Sequence, residues 1–83
     1  MVRLLYFSWV RERIGVASEA VTLPSGVETV QALLTFLKTQ DALHASALSH
    51  SSLRVAVNQI HAQATDPVAD GDEIAIFPPL SGG

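Results

Sequence analysis

Thr29-Val30-Gln31-Ala32-Leu33-Leu34-Thr35-Phe36-Leu37-Lys38 is the stretch from which the architecture follows. Val30, Leu33, Leu34 and Leu37 fall at i, i+3, i+4 and i+7, so a helix would gather them into one apolar stripe. Thr29 stands immediately before them, where its hydroxyl can accept an orphan backbone N–H. No other segment carries so strong a helical period, and what flanks this one reads as β.

On the N-terminal side, Val2-Arg3-Leu4-Leu5-Tyr6-Phe7 is almost continuously apolar, as in a strand covered on both faces. Val2, Leu4 and Tyr6 share one face, and Arg3, Leu5 and Phe7 the other. Ser8 is placed to cap a short helical stretch, Trp9 to Ile14, which Gly15 stops. Within it Trp9 and Arg13 are spaced for a cation–π pair, and Val10 and Ile14 for the core; packing is the expected role of all four. Ala20 to Leu23 alternates as a second strand, closed by Pro24-Ser25-Gly26.

On the C-terminal side, Asp41 to Ser52 is polar and alanine-rich and reads as a short helical turn and loop. Leu53, Val55 and Val57 alternate with Arg54 and Ala56 as a third strand. Asn58-Gln59 makes a tight turn into a brief fourth strand, Ile60 to Gln63. Asp66-Pro67 and Asp70-Gly71 mark turns before a last strand, Glu73 to Phe77, which Pro78-Pro79 cannot continue because neither has an N–H. The order is strand, strand, helix, strand, short strand, strand. One main helix packed on one face of a mixed sheet is an α+β solution, and right-handed crossovers set the first and last strands side by side and parallel. That topology is the β-grasp. Residues 1–77 form the domain and residues 78–83 an extended, flexible tail.

The 83 residues leave room for a single core. They are 48% apolar and 16% charged, so the chain should fold rather than stay disordered. A net charge of −3 argues against nucleic acid or an anionic membrane as a partner. Cysteine is absent, which removes disulfides and thiolate chemistry. Apolar runs are far shorter than the roughly 20 residues that cross a bilayer. Arg3, Arg11, Glu12 and Arg13 interrupt any signal-peptide core. A cytoplasmic protein is the expectation.

Catalytic signatures are missing. The sequence has no phosphate-binding glycine loop and no G-x-S-x-G, and Lys38 is its one lysine. His44, His50 and His61 lack metal-ligand spacing, so no metal is expected and all three read as exposed or loop residues. Asp66, Asp70, Asp72 and Glu73 do not match a calcium loop and read as turn chemistry. What remains is the end, Phe77-Pro78-Pro79-Leu80-Ser81-Gly82-Gly83. Two prolines favour an extended exit, and six residues reach at most roughly 20 Å. Gly82 and Gly83 are thin enough for a narrow tunnel in another protein. The terminal carboxylate is inert until adenylation makes its oxygen a leaving group, and this chain has no means of handling ATP. A separate activating enzyme is therefore required.

Asp70 to Gly83, with its acidic turn, last strand and F-P-P-x-S-G-G ending, resembles the ubiquitin-like sulfur carriers that serve as small subunits of molybdopterin synthase. Val57-Asn58-Gln59 is similar to that family's hairpin, and Leu5-Tyr6-Phe7, Val10-Arg11-Glu12 and Gly15 to its first strand and short helix. The resemblance implies a sulfur carrier with no stand-alone catalysis. Its C-terminal glycine, Gly83, would be adenylated by an ATP-using enzyme of the ubiquitin-activating type and converted to a thiocarboxylate by a sulfur donor protein. The large synthase subunit would then take the tail, with sulfur passing to cyclic pyranopterin monophosphate. Ser81 and Gly82 would lead into the pocket, and Pro78, Pro79 and Leu80 would meet the partner. Phe7 and Phe77 share by parity the sheet face away from the helix, where docking to that partner and ordinary core packing are both open. No cofactor is expected on the chain itself. Alternatives are a carrier for thiamine thiazole synthesis and a protein modifier joined to lysines through Gly83.

Overall fold

The computed structural model describes residues 1–79; the tail positions Leu80, Ser81, Gly82 and Gly83 lie outside the described residues. In chain order the elements are β1 (Val2–Tyr6), α1 (Ser8–Ile14), β2 (Ser18–Val21), α2 (Val30–Lys38), α3 (Ala42–Leu48), β3 (Arg54–Val57), β4 (Ile60–Ala62) and β5 (Glu73–Phe77). The strands form one sheet in the order β2-β1-β5-β3-β4. β1 and β5 run parallel, with Leu4 opposite Ile74 and Tyr6 opposite Ile76, and the remaining pairs are antiparallel. This is the expected β-grasp order.

α2 forms where the apolar stripe predicts. Thr29 Oγ1 accepts from Ala32 N at 3.1 Å, and Val30 N and Gln31 N donate to the carbonyls of Asp66 and Ala64. Orphan donors of the first turn are thus met by the cap and by the loop before β5. Val30, Leu33 and Leu37 pack against Val2, Leu4, Tyr6, Val55, Ile74 and Ile76, joined by Val10 and Ile14 of α1 and Ala47 and Leu48 of α3. Leu4 lies opposite Ile74, and Tyr6 and Val55 flank Ile76, so these strand residues share one face of the sheet and that face carries the core.

Four local expectations are corrected. Ser8 does not cap α1: Phe7 is the cap residue, no side chain bonds to the helix end, and Ser8 itself has φ +57°. Gly15, at φ +98°, closes that helix with its N–H on the Arg11 carbonyl, as expected. β2 spans Ser18–Val21 rather than 20–23, because Val21 pairs with Val2 and β1 offers no residue beyond it. The third and fourth strands each lose one terminal residue, Leu53 and Gln63, to turns. Segment 41–52 contains a two-turn helix, α3, started by Asp41, whose carboxylate accepts from His44 N at 2.9 Å. Its buried residues, His44, Ala47 and Leu48, stand at i, i+3 and i+4, but a histidine and an alanine hide that stripe from a hydropathy reading.

The acidic cluster is turn chemistry. Asp66 and Asp72 accept from the backbone N–H groups of Gln63 and Ala69. Asn58 and Gln59 hold φ of +51° and +72°, a two-residue turn of the type that matches strand twist. Asn58 also bonds across to β5: its N–H and Nδ2 donate to the Glu73 carbonyl and Asp72 Oδ1, and its Oδ1 accepts from Glu73 N. The turn between β3 and β4 is therefore tied to the start of the last strand.

Candidate functional site

β1 and β5 run in parallel and end together, so their last outward side chains meet on the face away from the helices. Phe7 N donates to the Ile76 carbonyl at 3.3 Å, extending the ladder by one residue beyond β1. Ala75 and Phe77 alternate outward from the buried Ile74 and Ile76. With Ser8, Trp9, Pro78 and Pro79 these residues line an open groove of about 670 Å³. Phe7 is 46% exposed in a chain whose core aromatic, Tyr6, is 1% exposed. Phe7 thus leaves open apolar surface at the rim of the groove.

The groove is held from both sides. Phe77 meets His61 of β4 edge-on, with ring centroids 5.7 Å apart, and pairs in register with Arg54 of β3. Trp9 is half-buried. The Arg13 guanidinium lies 5.1 Å from its ring centroid, and the His50 ring lies 4.6 Å away. The spacing-based cation–π pair is thus present. The lining offers aromatic and proline surface and one hydroxyl. Among the described residues, no three His, Cys, Asp or Glu side chains converge as a metal site.

Of the residues assigned from sequence, the structure brings together Phe7, Phe77, Pro78 and Pro79. Leu80, Ser81, Gly82 and Gly83 lie outside the described residues. Sequence reasoning gave Trp9 to packing and overlooked Ser8 and Ala75 as lining. Parity alone places Ala75 beside Phe77; the positive φ of Ser8, which turns the chain from β1 into α1, leaves no sequence signal.

His44 is a further correction. Far from lying exposed, it is buried at the β1–β2 edge. Its Nε2 lies 2.7 Å from Glu19 Oε2, and its Nδ1 2.9 Å from Asp41 Oδ1. Tyr6 Oη donates to the same Glu19 oxygen at 2.7 Å. Burial alone would lower the His44 pKa, but the bonds to Glu19 and Asp41 outweigh it and raise it. Asp41 is held below the ordinary carboxylate range by the His44 backbone N–H and then by the His44 ring. Desolvation, reinforced by Glu19, pushes the Tyr6 phenol well above its usual value. His50 and His61 are exposed, as expected.

A five-stranded mixed sheet with parallel central β1 and β5, helices on one face and an apolar groove on the other defines a β-grasp domain of the ubiquitin-like class. Solved structures agree. The putative molybdopterin converting factor subunit 1 of Pyrococcus furiosus superposes with a TM-score of 0.79 at 26% identity, covering 95% of this chain and 97% of that one. The small archaeal modifier protein 1 of Haloferax volcanii gives 0.76 at 28% identity, covering 99% and 98%. The ThiS family model matches residues 4–83, and the chain belongs to the ThiS family. It is 39% identical, over the full length of both chains, to the molybdopterin synthase sulfur carrier subunit of Escherichia coli.

Proposed function

We propose that this chain is a sulfur carrier for molybdopterin synthesis, and that Gly83 is the carrying residue. The observation that carries the reading is full-length identity of 39% to a protein named for that role. Its support in the fold is the run of β5 into Pro78 and Pro79 beside a docking groove, four residues before Gly83.

The chemistry follows from what the domain lacks. An activating enzyme joins the Gly83 carboxylate to the α-phosphorus of ATP, releasing pyrophosphate. A sulfide-level nucleophile from a donor protein then attacks the carbonyl carbon. The C–S bond forms, the C–O bond to AMP breaks, and a thiocarboxylate remains. In the partner, sulfur bonds to cyclic pyranopterin monophosphate and water returns the carboxylate; two such donations supply the dithiolene. This chain contributes rigidity, the docking face and a slender end, and the large synthase subunit supplies the pocket. The activating enzyme, the donor and a cytoplasmic setting belong to the same proposal. No cofactor need bind this chain.

Mass spectrometry of the protein with ATP, an activating enzyme and a sulfur source tests it. The expected product is heavier by one oxygen exchanged for sulfur, located at Gly83. An unchanged mass with several such enzymes overturns the reading. The likeness to a protein named as a modifier favours one second reading, attachment of Gly83 to lysines of other proteins. Covalent adducts on many targets, with no complex with a large synthase subunit, would select it.

A further inference from the structure

His44 sits where three elements meet, and its hydrogen bonds require a particular protonation state. Both ring nitrogens face carboxylate oxygens, Glu19 Oε2 from β2 and Asp41 Oδ1 from the cap of its own helix. An ionised carboxylate can only accept, so both contacts are satisfied only when both nitrogens carry protons. The same Glu19 Oε2 also accepts from Tyr6 Oη of β1. A neutral imidazole, itself buried, would turn one bare lone pair toward a carboxylate, which is unfavourable.

We propose that Glu19, His44 and Asp41 form a protonation-dependent latch, which fastens α3 to the β1–β2 edge while His44 is an imidazolium and loosens that attachment when the ring loses a proton. The groups acting on the ring are few. They are Glu19 from β2, Asp41 from α3 and, at a ring-centroid distance of 6.3 Å, Tyr6 from β1. From α1, Arg13 turns to Trp9 and His50, and Arg11 and Glu12 of α1 and Lys38 of α2 make no hydrogen bond to the ring. α3 is a seven-residue helix, too short to persist unpacked, and the latch adds to the burial of its Ala47 and Leu48 in the core. It also packs on α1, which supplies Ser8 and Trp9 to the groove, so the latch supports that wall from behind.

The direction of the pH effect is set by His44's raised pKa. Stability from the imidazolium is fully present below the free value of 6.5 and is lost as pH rises through the folded midpoint. Between those two points, opening of α3 becomes easier as pH rises, by at most about tenfold per pH unit, and then levels off. Amide hydrogen exchange on the full chain, comparing protection of α3 with that of α2 across this range, reads this ratio. Ring nitrogen chemical shifts report the protonation state.

The expected result is a doubly protonated ring at pH 6.5 and an α3-to-α2 protection ratio that falls with pH. His44→Gln should flatten the slope. Glu19→Gln, which keeps shape and hydrogen-bonding capacity, should lower the ring's midpoint and shorten the sloping interval, and tests the latch even if His44→Gln fails to fold. A single ring proton at pH 6.5, a flat wild-type ratio, or an unaltered midpoint in Glu19→Gln overturns the proposal.

Discussion

Tyr6 and Phe7 are consecutive aromatics on the same strand exit, and their fates are opposite. Tyr6 is 1% exposed, packed under the helices with its hydroxyl on Glu19, whereas Phe7 is 46% exposed and borders the groove. Across the parallel ladder the same contrast repeats: Ile76 is buried and Phe77 faces outward. A strand's two-residue period thus divides labour between its faces. The inner face supplies the core; the outer face carries the apolar groove, which the proposed function makes a docking surface.

The sharpest way to separate the two faces is to leave both intact and remove Gly82 and Gly83. Melting temperature should stay unchanged while sulfur transfer is lost completely; retained transfer would show that the end of the chain is not where the chemistry occurs. Ile76→Ala, on the inner face, should cost about 2–5 kcal/mol in chemical denaturation, since it opens a cavity in a packed core. Phe77→Ala, one residue on, should reverse the pattern. Binding to the large synthase subunit, measured by calorimetry, should weaken about tenfold or more, with a stability change of at most about 1 kcal/mol. Comparable losses for both variants would place Phe77 in the core and erase the distinction.

Smaller effects probe the turns that hold the two faces in register. Gln59 has φ +72°, a conformation glycine adopts without the cost borne by a side chain. Gln59→Gly should raise stability by about 0.5–1 kcal/mol in denaturant titration and leave partner binding untouched. A loss instead would mean that the Gln59 side chain contributes contacts outweighing its backbone strain.

Much of this organisation was legible before any coordinates. The 3.6-residue period of Val30, Leu33, Leu34 and Leu37, the alternation in Val2 to Phe7 and Glu73 to Phe77, and the Asn58-Gln59 turn are local codes, each readable within a window of about ten residues. They sufficed for the topology and, through parity, for the pairing of Phe7 with Phe77 in the candidate site. Strand ends were less legible because they depend on partners: β2 stops at Val21 since β1 begins at Val2.

Chain order alone carried the sheet, the main helix, the outward-facing phenylalanines and the resemblance that led to the proposed role for Gly83, because each rests on spacing between near neighbours. Folding in three dimensions settled whether a residue's chemistry is hidden or shown. His44 looks like any loop histidine until β2 brings Glu19, 25 positions away, against its ring, and Trp9 looks like packing until the ends of β1 and β5 open a groove beside it. Burial and charge pairing are properties of the surroundings, and distant segments provide those surroundings only once the sheet has formed.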